Sequence, residues 1–232
     1  MQDIIVYISL DTASKEKETL LPLILSFEGE SDYKEYANLE AVSKDFTSAT
    51  SATYLTAKAI FDQIKVENCP VWADATVLTL AQLEAGYVEA EKLLIAQLMD
   101  KTAITDDMKK LRQSVICYNH DAANTSLPGA WVGRVAPNYP VAVTWKWKEL
   151  YGIPTTTEKG TDLQDLLEGR YNLYIQNHGR EYTSEGICAD GDFIDTVIGR
   201  WQIKQAMRQN LVNMFVDNEV VPYDDQGFTQ VA

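Results

Sequence analysis

Apolar residues come in short runs set apart by polar turns, and the period of each run predicts its element. Gln2 to Ser9 (QDIIVYIS) reads as a strand, rich in Ile and Val and ending in a turn-like Asp-Thr-Ala-Ser. Leu20 to Phe27 is a second apolar run, a buried strand closed by Gly29. Tyr54, Ala57, Phe61 and Ile64 then recur on one face of a helix, with Ser51 placed to cap it. Cys69 to Ala73 suits a short strand. Leu80, Leu83, Tyr87, Ala90, Leu94 and Leu98 make the cleanest helical stripe of the first half. Gly86 inside that stripe costs about 1 kcal/mol relative to Ala, which marks close packing. Thr105 opens a short helix with Asp106 and Asp107 in its first turn, where the dipole favours them. Ser114 to Tyr118 (SVICY) is a buried strand.

The second half is richer in aromatic residues. Three of the five tryptophans, Trp131, Trp145 and Trp147, lie close in sequence. From Ala142 to Trp147, Val143, Trp145 and Trp147 alternate with polar positions, which predicts a strand with one aromatic face. Thr161 and Gln164 fit a capping box ahead of Leu163, Leu166 and Leu167. Tyr171 to Ile175 and Arg180 to Cys188 flank Asn177-His178-Gly179, the signature of a hairpin. Asp192 to Asp217 reads as the longest helix, roughly 39 Å. Phe193, Ile194, Val197, Ile198, Trp201, Leu211, Val212 and Phe215 share one face of it, interrupted at the middle by Lys204, Gln205 and Arg208. The closing stretch, Glu219 to Ala232, turns between Pro222 and Gly227 and allows a strand over Phe228 to Val231. It is too short to build a core, and fully extended it reaches roughly 46 Å, enough to cross to a neighbouring subunit.

Composition narrows the classes. The 232 residues carry 20 Lys and Arg against 34 Asp and Glu, a formal charge of −14. Apolar residues are 46% and charged residues 23%, enough to bury a core, so a wholly disordered chain is excluded. No apolar run approaches the ~20 residues of a membrane span. The acidic, unbasic start predicts no signal peptide. A surface this acidic repels phosphate backbones, and no basic stripe offsets it, so nucleic acid is not an expected partner. Lys146 and Lys148 are the densest cationic pair outside the helices. Cys69, Cys117 and Cys188 are odd in number and widely spaced, which predicts reduced thiols rather than a disulfide framework or a metal knuckle.

Candidate chemistry is sparse. His120, in Asn119-His120-Asp121 after the SVICY strand, stands where an α/β enzyme places a base, and Cys117 beside it would be the thiol nucleophile of that reading. Asp190, Asp192 and Asp195 around Gly191 would suit a divalent cation, but a helix N-terminus attracts the same residues for its free N–H groups. The tryptophans serve either as core or as an interaction platform. No P-loop, dinucleotide fingerprint, nucleophile elbow or zinc-protease motif occurs. No cofactor, metal or catalytic residue is expected.

Five segments taken in order resemble contractile-tail sheath proteins of myovirus-type bacteriophages. Ala189-Asp190-Gly191-Asp192-Phe193-Ile194-Asp195 resembles their "ADG-aromatic-Ile-Asp" start, followed by a helix carrying Trp201. Val221-Pro222-Tyr223 through Gly227-Phe228 resembles their "IPY-turn-Gly" tail. Val143-Thr144-Trp145-Lys146-Trp147-Lys148 through Gly152 resembles a "TWK" segment, and Asn172-Leu173-Tyr174 an "N-x-Y" hairpin strand. Tyr36 to Phe61, with an aspartate-phenylalanine ahead of a Tyr-x-x-Ala-x-x-x-Phe helix, resembles their N-terminal region. Family members are usually longer, so this chain would be a compact version.

The resemblance implies an α/β (α+β) sheath-core domain, a mixed sheet flanked by helices, over residues 11–218. Residues 1–10 and 219–232 would be N- and C-terminal arms that donate strands to neighbouring subunits. The arm contacts would be made by Ile4, Ile5, Val6, Tyr7 and Ile8, and by Val220, Val221, Pro222, Tyr223, Gly227, Phe228 and Val231. Asp190, Gly191, Phe193, Ile194, Asp195, Trp201 and Trp145 would form the core motifs. The implied function is a non-enzymatic structural subunit of the virion tail. It would be assembled in the host cytoplasm as hexameric rings stacked helically around a tail tube, and its contraction would drive the tube through the host envelope. Its partners would be other copies, the tube protein, the baseplate and the tail terminator, without membrane insertion. The competing readings are a tail component that does not contract (tube, terminator or baseplate) and a soluble α/β enzyme built on His120.

Overall fold

The computed structural model describes residues 22–26, 33–63, 75–78, 93–98, 114–138 and 143–217. The expected strands at Gln2–Ser9 and Cys69–Ala73, the helix at Thr105, Gly86 and the whole C-terminal arm lie outside the described residues. The chain divides into two compact units, residues 1–195 and 196–232. Within the described residues the architecture is mixed, with helices and small sheets.

The first sheet joins β1 (Leu23–Leu25), β2 (Tyr33–Tyr36) and β3 (Ala75–Leu78) in the order β1-β3-β2. β1 runs parallel to β3 and β2 antiparallel, so the sheet is mixed. Two helices follow β2. In α1 (Leu39–Asp45) the Asn38 side chain caps the N-terminus by accepting from Ala41 N at 2.8 Å. In α2 (Ala52–Asp62) Ser51 accepts from Tyr54 N at 3.2 Å, the cap its position predicts. Ile24, Tyr36, Val42, Ala57 and Ile60 close a small core between sheet and helices.

The second sheet pairs β4 (Leu94–Leu98) in parallel with β5 (Ser114–Tyr118), from Leu94 opposite Ser114 to Leu98 opposite Tyr118. Every residue of β5 is buried, as a near-continuous apolar strand in a parallel sheet should be. α3 (Leu127–Val135) follows, capped by Ser126 accepting from Gly129 N, with Pro128 in its first turn. It lies tightly on α2. A Cβ at Gly129 would stand 2.7 Å from Thr56 O, and one at Gly133 2.6 Å from Ile60 O. Only glycine permits this approach. α4 (Thr161–Glu168) and the hairpin of β6 (Tyr174–Asn177) and β7 (Arg180–Thr183) complete the first unit. The hairpin turns through His178 and Gly179 at φ 49° and 76°, the mirror-image turn that matches strand twist. Ile116, Tyr118, Leu166, Tyr171, Leu173 and Ala189 form a second core cluster.

α5 (Ile194–Asp217) opens at the end of the first unit and makes up all that is described of the second. Val197 and Ile198 are buried and Trp201 is half-buried. Ile203, Met207, Val212, Phe215 and Val216 are all more than half exposed.

Four expectations are corrected. Leu94 to Leu98 belongs to a strand, so the helical stripe from Leu80 does not run through to Leu98. Residues 143–150 are a bent loop, not a strand with one aromatic face. Trp147 takes φ 66°, which turns it outward while Trp145 stays buried. Thr161 is the first helical residue rather than the cap, and Gly160 occupies the cap position without a side-chain bond. The longest helix, expected from Asp192, starts at Ile194, which leaves Phe193 outside it, 53% exposed beside a fully buried Ile194.

Candidate assembly joint

Asn172 gathers the sequence motifs of the second half into one place. It is 1% exposed and sits beside β5, bridged in parallel to Cys117. Its backbone N–H donates to Ile116 O at 2.8 Å, and its carbonyl accepts from Tyr118 N at 3.0 Å. Its side chain is saturated. Nδ2 donates to Ile116 O and Ile187 O at 3.1 and 2.8 Å, and Oδ1 accepts from Gly186 N and Ile187 N at 3.0 Å each. One amide thus ties β5 to the segment that leads into α5. Aspartate or leucine could not satisfy both donors and both acceptors.

That segment is the Ala189–Asp195 motif. Ala189 N donates to Ser114 O at 2.7 Å, at the first residue of β5. Asp190 Oδ1 accepts from Asp192 N at 3.0 Å, so its carboxylate closes a local turn. Cys188 N donates to Asp192 O, and Ile194 N donates to Gly186 O. Gly191 takes φ 98°, and a Cβ there would meet the Arg170 guanidinium at 3.2 Å. Arg170 Nη1 donates to Ala189 O at 2.8 Å. The Asp190 carboxylate serves the turn. Among the described residues no three His, Cys, Asp or Glu side chains form a group suited to a metal ion.

The tryptophan segment docks on the same hairpin. Trp145 is 3% exposed, and its carbonyl accepts from Trp131 Nε1 and Thr183 Oγ1, both at 2.8 Å. The two indoles meet edge to face at 5.3 Å. Thr183 also receives Trp147 N and donates to Lys148 O through its backbone. Outside this ladder Trp147 is 58% exposed, with its ring 4.5 Å from Tyr182 and the Lys146 ammonium 5.0 Å from its centroid. Lys146 is paired to Glu185 at 2.9 Å.

Of the expected motif residues, Asp190, Gly191 and Ile194 are held in this turn, Phe193 is bridged antiparallel to Ile187, Trp145 docks on the hairpin through Thr183, and Asp195 stands in the first turn of the helix that follows. Trp201 belongs to the second unit and is half-buried rather than an enclosed core anchor. The twelve arm residues from Ile4 to Ile8 and from Val220 to Val231 lie outside the described residues. Thr183, Gly186 and Arg170 were not expected to matter. The one sequence signal for them was Gly186, a glycine in the strand-like run of Arg180 to Cys188.

The catalytic candidates stand in β5 and in the turn that follows it. Cys117 is fully buried, and burial pushes its thiol far above the ordinary cysteine range, so it stays protonated. His120 lies in the turn after β5, with Nδ1 buried and without a hydrogen-bond partner among the described residues. A cleft of about 460 Å³ opens nearer α4, lined by Thr155 to Gly160, Leu163, Ile175 and Gln176, and neither His120 nor Cys117 lines it. No helix among the described residues is long and apolar enough to cross a membrane. No family model matches the chain, and no curated protein matches it.

Proposed function

We propose that the chain is a structural subunit of a contractile phage tail sheath, polymerising around a tail tube and contracting to drive it through the host envelope. One observation carries the reading. The "TWK", "N-x-Y" and "ADG-aromatic-Ile-Asp" segments, separated in sequence, share one buried joint through Asn172, Thr183 and Gly186. Motifs that resemble a family only by chance have no reason to meet. The Asn172, Thr183 and Asp190 side chains there bond backbone groups, as suits a mechanical part rather than a reactive one. The exposed Ile203, Met207, Val212, Phe215 and Val216 of α5 further favour a helix that is covered in an assembly.

In this reading residues 1–10 and 219–232 are the arms that join subunits, and the core between them moves as a body. Strand addition needs backbone bonds and little side-chain specificity. Deleting residues 219–232 tests it. The truncated chain should keep its cooperative melt and lose sedimentable polymer. A truncated chain that still polymerises would remove the arm from the account.

A further inference from the structure

Trp145 goes into the core and Trp147 does not. Trp147 takes φ 66°, a costly conformation for a bulky side chain. Three bonds to Thr183 impose it. Trp147 N donates to Thr183 O at 3.0 Å, Lys148 N donates to Thr183 Oγ1 at 2.9 Å, and Thr183 N donates to Lys148 O at 2.9 Å. The result is an indole that is 58% exposed yet held in place, by the Tyr182 ring at 4.5 Å and the Lys146 ammonium at 5.0 Å. Core packing gives no reason to strain a backbone in order to expose an indole.

The exposed ring leads to the cleft. Tyr182 is directly opposite Ile175 in the hairpin register, so the two side chains share one face. Ile175 lines the cleft of about 460 Å³. Its other wall is residues 155–160, tied to β6 where Thr156 N donates to Tyr174 O at 2.7 Å. The polar lining is ordered. The buried Tyr118 donates its hydroxyl to Glu158 Oε1 at 2.9 Å, and Glu158 N donates to Thr156 Oγ1 at 3.3 Å. Thr155, Thr157 and Gln176 add hydroxyls and an amide. The charges among these lining residues are Glu158 and Lys159, which cancel.

The volume falls within the range of small-ligand sites, about 300–1,000 Å³. Hydroxyls and an amide inside, with an exposed aromatic ring at one end, suit a sugar. A sugar ring carries hydroxyls on its rim and C–H groups on its faces, and those C–H groups are drawn to the electron-rich face of an indole. We propose that this cleft binds an uncharged oligosaccharide, with one ring stacked at Trp147 and Tyr182 and the next in the cleft against Thr155, Thr157, Glu158 and Gln176. A formal charge of −14 disfavours acidic sugars. The site stands within the first unit and does not depend on the assembly reading.

Isothermal titration calorimetry of the full chain tests it, with chitohexaose, cellohexaose and maltohexaose as probes. At least one should give saturable heat below about 10 mM. Trp147→Ala should weaken that binding about tenfold, and Thr157→Val, nearly isosteric and at an exposed position, should weaken it severalfold. Thr157→Val carries the test if Trp147→Ala does not fold. Phe215→Ala, which removes an exposed ring on α5, should leave binding unchanged. No saturable heat from any of the three sugars would overturn the proposal, as would equal affinity in the parent, Trp147→Ala and Thr157→Val chains. Loss of self-association in Trp147→Ala by sedimentation velocity, with no sugar bound by the parent, would give the aromatic ring to a second copy instead.

Discussion

Trp131 donates its indole N–H to the carbonyl of Trp145 at 2.8 Å while the two rings meet edge to face. This contact anchors the loop of residues 143–150 to α3, and that loop in turn meets the hairpin through Thr183. Trp145→Ala removes the larger part of it and should cost about 3–5 kcal/mol, as enclosed aromatic truncations do. Trp131→Phe keeps most of the volume but loses the donor, and should cost about 1–2 kcal/mol. Urea unfolding of both variants measures the order, and Trp131→Phe as the more damaging change would contradict it.

Asn172 is expected to be less tolerant than its size suggests. Asn172→Leu keeps the branching at Cγ but strips partners from Gly186 N, Ile187 N and Ile187 O in a buried site. Each buried group left unpaired costs about 1–3 kcal/mol, so the total should be about 3 kcal/mol or more. Amide exchange at Gly186 and Ile187 should accelerate more than exchange in α2.

Gly133→Ala tests the α2–α3 crossing. Its Cβ would stand 2.6 Å from Ile60 O and 2.8 Å from Ile60 Cα, both backbone atoms that cannot rotate away. The helices must separate, and overpacking of this kind costs about 1–3 kcal/mol. In an exposed helix the same change would stabilise by about 1 kcal/mol, so the sign alone decides.

Stability should fall at both ends of the pH range, with Tyr36 contributing to each. Asp45 is held below the ordinary carboxylate range by hydrogen bonds from Lys34 and then Tyr36. Its contribution is present above the unfolded value of 3.8 and is lost as pH falls through the depressed folded value. Burial raises Tyr36, Tyr171 and Tyr174 above the ordinary 10.0. The folded state holds these phenols neutral, so that stability is present below pH 10.0 and is lost as pH rises beyond it. Tyr36→Phe should soften both limbs in pH-dependent thermal melts. An unchanged acid limb would detach Tyr36 from Asp45.

Local signals were legible in the sequence where a short stretch decides its own structure. Ser51 capped α2, the SVICY run became the buried β5, and Asn177-His178-Gly179 made the hairpin turn. Long-range partners were not legible. Leu94 and Leu98 are four apart, a spacing that fits one helical face and one strand face equally, and pairing with β5 decided for the strand. Trp145 and Trp147 alternate like a strand, but bonds to Thr183, far along the chain, hold Trp147 at positive φ and turn it out. Asn172 read only as part of a short motif. Its role depends on Ile116 and Ile187, which no local pattern connects to it.

The central claim is assembly into a sheath, and negative-stain electron microscopy of the purified full chain tests it most directly. Over a range of protein and salt concentrations the chain should form tubes or stacked rings of uniform diameter. Small particles alone under every condition, with added tail tube still bare, would contradict it.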